Sequence, residues 1–161
     1  RMLHVTVLCV GKLKERYWQE ACAEYQKRLG AFCRLSVVEV AEERLPDAPG
    51  AAEIRATVQA EGERLLAKIL PGDRVIALCI EGREMGSEAL AEYLRQAAVD
   101  GDSRITLVIG GSWGLSDAVK RRAALRLSMS PMTFPHQLAR VMLHEQIYRA
   151  FQIMSGGKYH K

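Results

Sequence analysis

A glycine-rich stretch, Gly110-Gly111-Ser112-Trp113-Gly114-Leu115, follows directly on the apolar run Arg104-Ile105-Thr106-Leu107-Val108-Ile109. Glycines in such a place let backbone N–H groups approach a ligand closely, or simply shape a tight turn. The spacing is not G-x-G-x-x-G, and Gly11-Lys12 lacks the spacing of a P-loop, so a nucleotide-phosphate cradle fits poorly. The stretch also satisfies G-x-S-x-G, with Ser112 as a nucleophile between a strand and a helix. A serine hydrolase would then need a base from His136, His144 or His160 and an acid from Asp117 or Glu145. Asp117, however, follows Ser112 by five residues, on the helix after the turn, whereas α/β-hydrolases supply the acid from a later strand end. His144-Glu145-Gln146-Ile147-Tyr148 begins as H-E-x-x-H but ends in tyrosine, which removes the second ligand of a zinc protease. Cys9, Cys22, Cys33 and Cys79 form no C-x-x-C pair, so no metal site is expected; the cysteines read as buried reduced thiols, and His144 as a helix-surface or interface residue.

Charge adds a second signal. The last 44 residues, 118–161, hold eight basic side chains and one acidic one, while residues 1–117 hold 15 and 18. A basic quarter of this kind suits a polyanion, or forms a solvated helix face. The 161 residues, 48% hydrophobic and 26% charged, suffice for one core and one domain, 1–161. With no signal-peptide pattern at the start and no apolar run of about 18 residues, a soluble cytoplasmic protein without a membrane partner is expected. Arg1 precedes an initiator candidate, Met2, and is set aside as a residue without function.

The elements that position these residues follow from periodicity. Residues 3–10, 32–40, 74–80, 104–109 and, more weakly, 125–129 read as strands, rich in β-branched and apolar side chains. Between them, helical spacing covers 15–29 with a stop at Gly30, 52–70 before Pro71-Gly72, and 90–99 with Ser87 as N-cap. Ser116 caps a short helix to Ala123, Pro131 to Pro135 is a loop, and a last helix spans His136 to Met154. Strands alternating with helices imply an α/β fold with a mostly parallel sheet flanked by helices. Ligands of such sheets bind beyond the carboxyl ends of strands, which singles out Glu81-Gly82-Arg83-Glu84, Gly110 to Leu115 and Ser130 to Pro135.

Four segments in order carry a resemblance over nearly the whole chain. They are Val10-Gly11-Lys12-Leu13-Lys14 with Tyr17-Trp18, Val108 to Leu115, Ser128 to Gln137 with Arg140 to Ala150, and the ending Tyr159-His160-Lys161. Together they closely resemble the ribosomal RNA large subunit methyltransferase H family. The resemblance implies a SPOUT-type fold with a C-terminal trefoil knot, an obligate homodimer and S-adenosylmethionine as cofactor. The implied reaction is methylation of N3 of a pseudouridine in helix 69 of 23S rRNA, on the assembled ribosome.

Carried onto this sequence, the family's cofactor contacts fall on Leu78, Gly110, Met129, Ser130, Pro131, Met132, Thr133 and Phe134. Attack through N3 requires loss of its imide proton, for which His136, Glu145 and His160 are the candidate bases. Arg140 and Arg149 are candidates for binding phosphate or steadying the imide anion, with dimer packing as the alternative. Lys158, Tyr159 and His160 complete the candidate RNA contacts, Tyr159 by stacking on an unpaired base. A tail from one subunit could finish the partner's site; Tyr148, Phe151 and Met154 belong either to that interface or to the core.

Overall fold

The computed structural model describes residues 2–161, so Arg1 lies outside the described residues. Strand and helix alternate as β1 (His4–Val10), α1 (Arg16–Leu29), β2 (Arg34–Val40), α2 (Ala51–Leu66), β3 (Arg74–Glu84), α3 (Ser87–Val99), β4 (Arg104–Ile109), α4 (Asp117–Arg122), β5 (Leu125–Ser128) and α5 (His136–Met154). The strands form one sheet in the order β2-β1-β4-β3-β5, and every pairing is parallel.

Central β1 and β4 are apolar almost throughout because helices cover both of their faces. Val5, Val7 and Cys9 of β1 turn to one face with Ile105, Leu107 and Ile109 of β4, under a helical layer that supplies Leu29, Leu94 and Leu143 from α1, α3 and α5. Leu8, Val10 and Val108 turn to the other, where α2 and α4 contribute Leu65 and Val119. In the first layer α5 packs against both α1 and α3. Phe151 is buried there and stacks on Phe32 with ring centroids 6.1 Å apart, while Tyr148 and Met154 pack against the same core.

Three features depart most from the sequence reading. Helix α2 ends at Leu66, short of Leu70: Pro71 disfavours helical backbone at Leu70, whose N–H is taken by the Asp73 carboxylate at 2.9 Å. Ser87 does not cap α3; Gly86 holds that position, and Ser87 Oγ donates to Gln146 Oε1 on α5 at 2.6 Å. Strand β3 continues past Ile80 to Glu84, with an irregularity in which Leu127 of β5 pairs with both Leu78 and Arg83. A Cβ on Gly82 would lie 2.8 Å from the Arg126 carbonyl, so only glycine lets the two strands approach there. Such bulges re-aim side chains, and this one turns Cys79, Ile80 and Glu81 toward the cavity described next. Among the described residues, no helix is long and apolar enough to cross a membrane.

Candidate cofactor site

The carboxyl ends of β3, β4 and β5 open into a cavity of about 430 Å³. Its walls come from the β3 irregularity, from Gly110 to Leu115, from residues 129–134 and from the start of α5 at His136 and Ala139. The glycine-rich segment is a tight turn: Gly114 N–H donates to the Gly111 carbonyl at 3.1 Å, and Gly114 adopts a φ of +85°. A Cβ on Gly110 would sit 2.7 Å from the Gly114 backbone, so the turn closes this tightly only over glycine. Beyond it, Ser116 Oγ accepts the Val119 N–H at 3.3 Å and starts α4, as its position before the short helix predicts. Ser130 Oγ shapes the other wall by accepting the Met132 N–H at 3.0 Å.

Of the residues expected to hold a cofactor, Leu78, Gly110, Met129, Ser130, Met132, Thr133 and Phe134 line the cavity. Pro131 does not; it is exposed, between two residues that do. The sequence reading missed Cys79, Ile80, Ile109, Leu127, Lys120 and Ala139. Lys120 reaches Glu81 Oε1 across the wall at 2.5 Å, and this hydrogen bond is the main influence holding the Glu81 carboxyl below its usual value. The location of Lys120, one turn into the helix after the glycine turn, is the signal that could have found it. Ser112 lines the cavity, but no histidine hydrogen-bonds to it among the described residues, so the nucleophile-elbow reading lacks its base.

His136 is the one candidate base in the cavity wall. Burial pushes its imidazole below its ordinary value, outweighing the nearby Glu42 and Glu15 carboxylates. Glu145 lies elsewhere, clasped by Arg149 Nη2 at 2.7 Å and by the Tyr159 hydroxyl at 2.7 Å. Burial would raise its carboxyl, but those two donors win and hold it below the usual carboxylate range. The same bond pushes the Tyr159 phenol up to about 12. His160 accepts from Arg149 at 3.1 Å through Nδ1, which leaves Nε2 to donate to Glu88 at 2.8 Å. The tail therefore lies folded on α5 and α3. Glu145, Arg149, Tyr159 and His160 form a separate group, and neither they nor the exposed Lys158 line the cavity.

Two expectations are corrected. Arg140 is 3% exposed, with Nη1 on Glu39 at 2.5 Å and Nη2 on the Gly11 carbonyl at 3.0 Å. Its buried guanidinium ties α5 to the ends of β1 and β2 and offers nothing to a phosphate. His144 is in the core and not on a helix surface: its Nδ1–H donates to the Arg140 carbonyl at 2.8 Å and Nε2 accepts from Gln26 at 3.3 Å. Burial pushes its imidazole below the ordinary value, consistent with that neutral tautomer. All four cysteines are buried and free. No cluster of three metal-ligating side chains occurs among the described residues.

The cavity size and its mixed walls, apolar at Leu78, Ile109, Leu127 and Met129 and polar at Ser130, Thr133 and the Lys120–Glu81 pair, suit a nucleoside-sized ligand carrying charge. A cavity at the strand ends of an α/β sheet is the usual place for a ligand of that kind, and sequence comparison shows the family. The family described as predicted SPOUT methyltransferase matches residues 3–160. A ribosomal RNA large subunit methyltransferase H from Pelotomaculum thermopropionicum is 52% identical over 159 residues, covering 99% of each chain. The fold is also similar to that of a probable methylase family protein from Haemophilus influenzae, with a TM-score of 0.52 at 14% identity over 99% of this chain and 70% of that one. The chain belongs to the ribosomal RNA large subunit methyltransferase H family of SPOUT methyltransferases.

Proposed function

We propose that this protein transfers a methyl group from S-adenosylmethionine to large-subunit ribosomal RNA, at N3 of a pseudouridine in helix 69 of 23S rRNA. The observation that carries the reading is the strand-end cavity, in which seven of the eight expected cofactor contacts meet around one space. Adenine and ribose would lie between the 129–134 segment and Gly110, and Lys120 with Glu81 offers one charge of each sign to a zwitterionic end. When bound, S-adenosylmethionine supplies an electrophilic methyl group and departs as a neutral thioether.

This chain's residues then have two tasks. His136, neutral and in the wall, accepts the N3 proton as the nitrogen lone pair forms its bond to the methyl carbon. The basic C-terminal quarter holds RNA phosphates, with Lys158 exposed and Tyr159 braced between Tyr148 and the Arg149 guanidinium. Ile80, Trp113 and Met132 line the cavity yet are 53%, 51% and 72% exposed, an apolar rim that the second copy in a homodimer would cover. The remaining elements of the proposal are a single domain with a C-terminal trefoil knot, acting in the cytoplasm on the assembled ribosome.

The test is transfer of isotopically labelled methyl groups to assembled ribosomes and to free 23S rRNA, followed by nucleoside mass spectrometry. Label on a helix 69 pseudouridine of ribosomes supports the reading. Label on another nucleoside, or none, overturns it. Deleting Tyr159 to Lys161 should spare cofactor binding and impair RNA methylation; unchanged turnover would remove the tail from the mechanism.

A further inference from the structure

Two acidic side chains are less than a tenth exposed, Asp73 at 6% and Glu61 at 5%. Asp73 is met by Arg104 at 2.8 Å. Glu61, on α2, has no cation within 4.0 Å among the described residues, and its one hydrogen bond is the Glu43 N–H donating to Oε2 at 3.0 Å. The Arg64 guanidinium, whose charge draws the Glu61 carboxyl down, makes its own bonds to the Glu43 carboxylate and the Ala41 carbonyl. Glu42 adds further negative charge, and burial, the dominant influence, pushes the Glu61 carboxyl up.

This carboxylate, with no ion-pair partner within 4.0 Å among the described residues, lies behind the backbone of the cofactor cavity. Its Oε1 would be 3.2 Å from a Cβ on Gly111, and Gly111 lines the cavity. One peptide therefore separates a buried negative charge from the ligand space. A fixed charge one peptide away acts through that peptide, and it costs no reorganisation when a cation arrives.

We infer that Glu61 is the fixed counter-charge for the sulfonium of the methyl donor, favouring the cationic substrate over the neutral thioether product. The inference rests on the reading of the cavity as the S-adenosylmethionine site. Substrate and product carry the same ammonium and carboxylate, so the difference between their affinities isolates the sulfonium.

The experiment is calorimetric titration of S-adenosylmethionine and S-adenosylhomocysteine into the wild type, Glu61→Gln and Glu61→Asp. Glu61→Gln should weaken S-adenosylmethionine about tenfold and S-adenosylhomocysteine less than twofold. Glu61→Asp, which keeps the charge, should retain the wild-type ratio. Glu61→Met, neutral and unable to accept the Glu43 N–H, is the second variant and should show the same selective loss. Product binding reports in each case that the pocket is folded. Equal weakening of both ligands would make Glu61 a scaffold residue and overturn the inference, as would an unchanged ratio in both neutral variants. A wild type that binds neither ligand, alone or with ribosomes, would overturn the cavity reading itself and the inference with it.

Discussion

The two ends of the sheet treat their buried carboxylates, Asp73 and Glu61, in opposite ways. At the amino end, Asp73 accepts from Arg104, from Thr106 Oγ1 at 3.2 Å and from the Leu70 N–H, while Arg122 caps the Leu70 and Asp73 carbonyls at 3.0 Å. Arg74 joins Asp102 at 2.5 Å beside them. At the carboxyl end Lys120 pairs with Glu81 and Arg140 with Glu39, but where glycines replace side chains and the cavity opens, buried Glu61 has no cation within 4.0 Å among the described residues. Polar groups matched to one another hold a structure together; polar groups left unmatched beside a cavity await a ligand.

Breaking each end should therefore register in a different measurement. Asp73→Ala removes a buried acceptor from three donors and should lower unfolding free energy by about 3 kcal/mol, while cofactor affinity changes less than twofold. Chemical denaturation and calorimetry read the two effects. Gly110→Ala forces a Cβ into the Gly114 backbone beside the ligand. It should weaken S-adenosylmethionine about 30-fold, roughly 2 kcal/mol, with a smaller loss of stability. If Gly110→Ala unfolds the protein as readily as Asp73→Ala, the functional contrast between the two ends fails.

Acid should sharpen the same contrast, because the two buried carboxylates shift in opposite directions. Burial works against the Asp73 carboxylate, but Arg104, the Leu70 N–H and Thr106 outweigh it and hold the group below 3.8. Its stabilisation is present above the unfolded value and is lost as pH falls through the lower folded one. The Glu61 carboxyl is raised above 4.5 by burial, so folding carries a penalty at neutral pH that fades as pH falls through the folded and then the unfolded value. Stability curves from pH 7 to 3 should therefore show wild type losing its advantage over Asp73→Asn while gaining ground on Glu61→Gln. Parallel curves for both pairs would contradict the assignment.

Much of this architecture is legible in sequence because it is local. The apolar run Arg104–Ile109, the glycine turn and the Ser116 cap are set by neighbours within a few residues, and α5 begins and ends where its spacing indicates. What escaped is long-range. Arg140 looks like a phosphate ligand until β2 brings Glu39 to it from 101 residues away, and His144 looks exposed until Gln26 reaches it from α1. Glu61 carries no motif; its meaning comes from α2 lying against Gly111. The β3 irregularity depends on the register of β5, which periodicity within β3 does not encode.

The smallest expected effect probes how closely α2 must lie against the turn. Gly62 follows Glu61, and a Cβ there would fall 2.3 Å from Ser116 Oγ and 2.9 Å from Ser116 Cβ. Gly→Ala inside a helix ordinarily stabilises by about 1 kcal/mol, but here the collision should reverse the sign. Ser116→Ala alone loses the cap and should cost about 1 kcal/mol. The double variant removes the hydroxyl from the collision while keeping a methyl close by, so it should be more stable than the sum of the singles by roughly 1 kcal/mol. Additive losses in denaturation would mean that α2 can retreat from the turn, and Glu61 would then not be held in place by the helix packing that sets it against Gly111.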